Sequence, residues 1–218
     1  MEVTLPPFTL DVDTGNTLAL FGSSKCGKTT LWTNLYKKVY YNNDYISTLF
    51  AGNPQLEEYK EFKKLISTAG FEKLHEQYLE AQHYVNTQTK NKYKFLSIFD
   101  DQLELRYSKI LNKLLLSWRN SDMSTIICLQ AVKILTPASR SNLNNVILMW
   151  FNSEEAIAAA MTVYLNAYFR RLRYPKDNWI SIYRELTRDY NYIYIHILSE
   201  TLWTSKRGYL VRDGKLSG

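Results

Sequence analysis

The sequence predicts a single α/β domain, residues 1–218, with a mainly parallel central sheet flanked by helices. Short apolar runs of strand length recur along the chain, at Thr17–Phe21, Tyr45–Phe50, Phe95–Phe99, Ser124–Leu129 and Asn145–Phe151. Segments of helical character separate most of them, the order expected when a crossover must return each strand parallel to the last. The composition, 45% hydrophobic and 22% charged, holds ample material for a core.

Taken in order, the turn Asp13-Thr14-Gly15-Asn16 precedes the first strand, Thr17–Phe21. A loop of small residues, Gly22 to Gly27, follows. From Lys28 the pattern turns helical, over roughly Thr29–Tyr40, with Leu31, Leu35 and Val39 on one face. Asn42-Asn43-Asp44 breaks that helix, and the strand Tyr45–Phe50 ends at Gly52-Asn53-Pro54. Residues 55–92 are polar and read as mostly helical, with Leu56, Tyr59, Phe62, Leu65 and Ile66 as the apolar stripe and Gly70 between two helices. The strand Phe95–Phe99 closes on Asp100-Asp101, and a helix is expected over Leu103–Trp118. After the fourth and fifth runs come an alanine-rich helix, Glu154–Tyr168, the basic segment Arg170–Lys176 and a helix near Trp179–Tyr190. Tyr192–Leu198 and Tyr209–Val211 are expected to pair as terminal strands. The core thus spans about 16–151, with a helical and hairpin extension over 152–218.

Composition excludes several classes. No apolar run approaches the roughly 20 residues of a transmembrane helix, and the acidic start, MEVTLPPFTLDVD, lacks the plan of a signal peptide. Two cysteines, Cys26 and Cys128, support neither a disulfide framework nor a zinc cluster, and His75, His83 and His196 are scattered. A soluble protein of a reducing intracellular compartment is expected. The net charge of +6 favours a polyanionic partner without requiring one.

The sharpest motif is Gly22-Ser23-Ser24-Lys25-Cys26-Gly27-Lys28-Thr29, a full G-x-x-x-x-G-K-[ST] pattern running on into Thr30. Its two glycines are expected to allow backbone angles closed to other residues, so that successive amides curl round a phosphate. The helix that opens there adds its positive dipole end. Lys28 is expected to reach the β and γ phosphates of ATP, and the Thr29 hydroxyl to ligate Mg²⁺. The alternative is a chance match on a glycine-containing turn, against which stands the motif's place between an apolar strand and a helix.

Such a loop needs a metal-holding acid at the end of an adjacent strand. Asp100 ends the strongly apolar run Phe95–Phe99 and is the expected Mg²⁺ ligand, directly or through water. Asp101 then stands where a carboxylate would orient the attacking water, although an aspartate pair also caps helices well. Gln130 closes the strand Thr125–Leu129 at the carboxyl edge, beside the expected γ-phosphate, where it senses nucleotide state, positions water or makes a plain strand-end hydrogen bond. Arg119 and Arg140, each in a loop before a strand, are the candidates for an arginine finger given in trans, or are exposed loop arginines.

No N/T-K-x-D guanine motif and no L-S-G-G-Q segment is present. Four blocks instead resemble the viral genome-packaging ATPases of the FtsK–HerA superfamily, poxvirus-type branch. They are Leu20–Thr29, then Ile98-Phe99-Asp100-Asp101, then Arg119-Asn120 with Ser124–Gln130, and finally Arg140-Ser141-Asn142-Leu143-Asn144-Asn145. The resemblance implies a P-loop NTPase fold of RecA/FtsK type and a homo-oligomeric ring, pentamer or hexamer. It also implies ATP hydrolysis at subunit interfaces, driving double-stranded DNA into a preformed capsid through a capsid vertex protein, in the virion or at the host-cell assembly site. Members often carry Arg-His where this chain has Arg119-Asn120. Lys37-Lys38, Lys90–Lys94 and Arg170–Lys176 are basic clusters suited to a phosphate backbone, and each also reads as a solvated face. A small-molecule kinase and a non-catalytic nucleotide-gated assembly protein are the alternatives that the loop alone permits.

Overall fold

The computed structural model describes residues 3–8, 15–41, 45–52, 55–60, 62, 65–67, 76–77, 80–81, 84–85, 87–88, 94–100, 115 and 123–217. Asp101, Arg119, Asn120, most of the expected helix Leu103–Trp118 and residues 90–93 lie outside them.

Ten strands form one sheet among the described residues. They are β1 (Thr17–Phe21), β2 (Ile46–Ala51), β3 (Leu65–Ser67), β4 (Phe95–Asp100), β5 (Met123–Leu129), β6 (Asn145–Leu148), β7 (Ile193–His196), β8 (Thr201–Thr204), β9 (Gly208–Arg212) and β10 (Lys215–Leu216). Their order is β10-β9-β8-β7-β6-β1-β5-β4-β2-β3. The strands from β6 to β3 are parallel, whereas β6 to β10 pair antiparallel. Helices among the described residues include α1 (Lys28–Leu35), α2 (Pro137–Ser141), α3 (Glu154–Ala160), α4 (Asn166–Arg171) and α5 (Trp179–Thr187).

Strand alternation divides the core between two faces. Leu18, Leu20, Leu96, Ile98, Ile126 and Cys128 point to the side covered by α1, through Leu31, Trp32 and Leu35. Ala19, Phe21, Phe99, Ile127, Leu129 and Val146 point to the side covered by α3 to α5, through Ile157, Phe169 and Leu186. Being covered on both faces explains why the parallel strands read as continuous apolar runs.

Several expectations need correction. The acid-bearing strand is not adjacent to β1, because β5 lies between β1 and β4. Leu65–Ser67, read as part of a helix, pairs parallel with β2, since three residues carry too little periodicity to separate the two states. The terminal strands do not pair with each other: β8 lies between β7 and β9 and pairs with both. Four residues, Thr-Leu-Trp-Thr, made β8 easy to overlook. The strands of 152–218 extend the same sheet from β6. The first long helix continues beyond Leu35 as a π-helical turn, Tyr36–Tyr40, and a second such turn, Met161–Leu165, joins α3 to α4.

The start of β1 is tied to the segment before β6 by buried polar groups. The Thr17 hydroxyl lies 2.7 Å from Asn144 Oδ1 and 3.1 Å from the Asn142 carbonyl, and accepts from the Asn144 amide at 2.8 Å. Thr17→Val keeps the shape and strands these partners, so it is expected to lower unfolding free energy by about 1–3 kcal/mol in urea denaturation.

Candidate nucleotide site

The loop Gly22–Gly27 leaves β1 and is held by the strands on either side. The Gly22 amide donates to the Leu129 carbonyl at 3.1 Å, and the Ser23 amide to the Trp150 carbonyl at 2.9 Å. The Ser23 hydroxyl accepts from the Asn152 amide at 2.9 Å. The two glycines serve different needs. Gly27 caps α1 with φ of 94°, a left-handed angle that side chains disfavour. Gly22 is there for space, since a Cβ on it would stand 2.6 Å from Cys26 Sγ and 3.0 Å from Met149 Cβ. Lys25 also adopts positive φ, 62°, at the tip of the loop. Cys26 is a small buried residue that packs inside the loop. Burial raises its thiol above the ordinary value, the nearby Lys28 charge acting the other way, so it stays neutral.

The Lys28 ammonium turns back onto the loop, donating to the Gly22 carbonyl at 2.7 Å and the Ser23 carbonyl at 2.8 Å. Ser24, Lys25, Gly27, Lys28, Thr29, Thr30, Asp100 and Gln130 all line one cleft of about 330 Å³, together with Leu56 and Tyr190. The structure thus brings the loop, the strand-end acid and the glutamine that follows β5 to one place.

Asp100 is 1% exposed. Its Oδ2 accepts from three side chains: Thr29 Oγ1 at 2.8 Å, Trp32 Nε1 at 2.7 Å and the Tyr59 hydroxyl at 2.7 Å. A buried carboxylate needs such donors to offset its lost hydration. Burial, and after it the charge of Asp100, push the Tyr59 phenol far above its ordinary range. The same two causes raise Cys128. Tyr59 and Cys128 therefore keep their protons. Trp32 and Tyr59 were not singled out from the sequence as site residues. Trp32 lies three residues after Thr29, one turn along the same helix face, which was an available signal. Tyr59 is set by a 3₁₀ turn, Glu57–Tyr59, and stacks on Trp32 with centroids 6.0 Å apart.

Thr29 and Asp100 offer hard oxygen donors side by side, which fits Mg²⁺. Among the described residues no group of three His, Cys, Asp or Glu side chains could hold a metal by itself. Arg140 does not line the cleft; its guanidinium donates to the Leu135 carbonyl at 3.0 Å and the Val132 carbonyl at 3.4 Å of its own chain. Lys37 and Lys38 are exposed on the π-helical turn, and Arg170, Arg171, Arg173 and Lys176 are exposed at the end of α4 and beyond it.

Tyr59→Phe and Trp32→Phe each remove one donor from the same buried oxygen. Each is expected to lower stability by about 1–3 kcal/mol. In a double-mutant cycle by chemical denaturation, the pair should depart from additivity by about 0.5 kcal/mol or more.

This geometry has relatives. The solved structures similar to the chain include the genome packaging NTPase B204 from Sulfolobus turreted icosahedral virus 2, in complex with ATP-gammaS. It is 13% identical, with a TM-score of 0.61 over 88% of this chain and 97% of that one. EssC (ATPases 2 and 3) from Geobacillus thermodenitrificans is 15% identical, with a TM-score of 0.54 over 71% of this chain and 35% of that one. The pCW3 conjugation coupling protein TcpA is 12% identical, with a TM-score of 0.60 over 85% of this chain and 58% of that one. These likenesses establish the fold as that of the FtsK-type P-loop ATPases. No curated protein matches the sequence significantly. The profile of the Poxvirus A32 protein family matches residues 12–214, nearly the whole chain, and the chain belongs to that family.

Proposed function

We infer that this chain is an ATP hydrolase of the viral DNA-packaging class, and propose that it couples hydrolysis to movement of double-stranded DNA. The observation that carries the reading is the 2.8 Å hydrogen bond from Thr29 to Asp100. A hydroxyl and a buried carboxylate side by side at the mouth of the Gly22–Gly27 loop are the oxygen donors that Mg²⁺ beside a triphosphate calls for, which supports the reading. Family membership and the likeness to a packaging NTPase solved with ATP-gammaS support it.

Each residue has a part in this proposal. The amides of Gly22–Thr29 and the start of α1 bind the phosphates. Lys28 exchanges the Gly22 and Ser23 carbonyls for β and γ phosphate oxygens, so its ammonium donates to oxygen acceptors in both states and gains charge neutralisation from the phosphates. Thr29 and Asp100 hold Mg²⁺, Asp100 directly or through water. The ion, when bound, neutralises charge on the phosphates. Asp101 orients the attacking water, and Gln130 at the cleft edge senses nucleotide state or positions water. Arg119 or Arg140 of a neighbouring subunit supplies charge to the transition state, within a ring of five or six copies. The exposed lysines and arginines grip the DNA backbone without reading sequence. A capsid vertex protein is the docking partner, and the virion or its assembly site is the place of action.

Purified protein is expected to hydrolyse ATP faster with double-stranded DNA, the stimulation falling steeply with salt and varying little with sequence. Lys28→Ala should abolish turnover. Hydrolysis indifferent to DNA in assembled rings, or phosphate transfer to a small metabolite, would contradict the proposal. In subunit-mixing assays, loss of activity in Arg119→Ala or Arg140→Ala should be rescued by Lys28→Ala subunits only for the arginine that acts in trans.

A further inference from the structure

A second cleft, of about 460 Å³, opens beside the phosphate loop. Its walls are largely apolar and include Val3, Leu31, Met149 and Tyr192. It shares Gly27, Thr30 and Tyr190 with the phosphate cleft, so the two are continuous round the start of α1. None of these four apolar residues lies within the G-x-x-x-x-G-K-[ST] motif. The volume is in the range of small-molecule sites, and the apolar lining suits a flat heteroaromatic ring.

Tyr190 stands at the junction. It is 62% exposed, one of the few large hydrophobic side chains in that state among the described residues. Its Cδ1 lies 3.2 Å from where a Cβ on Gly27 would stand. The residue is presented by an unusual turn: Asp189 and Tyr190 are consecutive non-glycine residues with positive φ, 58° and 62°. Side-chain-bearing residues resist that angle, and such strain persists where the surroundings enforce it. Here they do. The Asn191 side chain donates to the Arg188 carbonyl at 2.7 Å and accepts from the Ser205 hydroxyl at 2.9 Å. The Ser205 hydroxyl accepts from the Tyr192 amide at 2.9 Å. The Tyr192 hydroxyl in turn donates to the Thr4 carbonyl, fixing the outer wall.

We propose that Tyr190 is the stacking platform for the nucleobase of the bound nucleotide, and that the apolar cleft beside Thr30 and Leu31 receives the base and ribose. This rests on the phosphate loop holding the triphosphate. The base site is then built by the segment after α5, the turn leading to β9 and residues 3–4, so the C-terminal extension takes part in substrate binding. Recognition comes from the aromatic face, because the Asn191 and Ser205 polar groups are engaged with one another.

The test compares affinity for ATP and for inorganic tripolyphosphate, by calorimetry, in the wild-type protein, Tyr190→Ala and Tyr190→Phe. Loss of one aromatic stack corresponds to a weakening on the order of tenfold to a hundredfold. Tyr190→Ala is expected to lose that much affinity for ATP and none for tripolyphosphate, while Tyr190→Phe binds both as the wild type does. Equal weakening of both ligands in Tyr190→Ala would overturn the proposal, since Tyr190 would then merely support the phosphate loop. Unchanged ATP affinity would place the base elsewhere. A wild-type protein that binds neither ligand would remove the phosphate-loop reading itself, a result distinct from both.

Discussion

The buried carboxylate of Asp100 is the constraint on which the rest of the site depends. A carboxylate closed off from water is tolerable only when fixed donors surround it. Here two come from α1, Thr29 and Trp32, and one from the turn after β2, Tyr59. Because Thr29 and Trp32 are one helical turn apart, satisfying Asp100 sets both the position of α1 and its rotation about its own axis. The loop that ends where α1 begins is positioned by the same contacts. Three otherwise separate parts of the chain meet at one oxygen atom.

The sheet order makes this possible. β5 separates β1 from β4, so the loop after β1 must carry the start of α1 over β5 for its first turn to reach the acid. Small and slender residues, Ile126 and Cys128, face α1 on β5 and are buried beneath it. The gap between the two strands also leaves Gln130, at the end of β5, between the loop and Asp100 on the cleft wall. On the other side of β1, the end of β6 holds the loop through the Trp150 carbonyl, and Tyr183 of α5 donates to the Met149 carbonyl at 2.5 Å. The layers on both faces thus converge on the same strand ends, where ligands of parallel α/β sheets bind.

Much of this was legible in the residues. β1 matches its expected span, and the four other core strands agree with expectation to within a few residues, because strands buried on both faces leave continuous apolar runs. The loop and the helix after it stand where the glycine and lysine spacing set them, between β1 and the body of α1. What escaped lacks a local signal. β3 and β8 are too short for a period to show, and β8 lies between two strands that patterning alone would have paired. The donors Trp32 and Tyr59 are brought together only by tertiary folding, as an aromatic stripe looks the same whether it fills a core or holds an acid. Tyr190 sits after the end of a helix; Asp189 tolerates a left-handed angle as asparagine does, but nothing in a tyrosine advertises a second one. The role of Gly22 was also misjudged, since sequence spacing reveals a glycine without saying whether angle or space requires it.

The central claim is that one cleft, walled by the loop, α1 and Asp100, takes the triphosphate and its metal. An experimental structure with Mg²⁺ and a non-hydrolysable ATP analogue tests it most directly. The account predicts phosphates wrapped by the amides of residues 22–29, the Lys28 ammonium moved off the Gly22 and Ser23 carbonyls, and the metal beside Thr29 and Asp100. A nucleotide bound elsewhere, or a metal away from both oxygens with Lys28 still folded onto the loop, would contradict it.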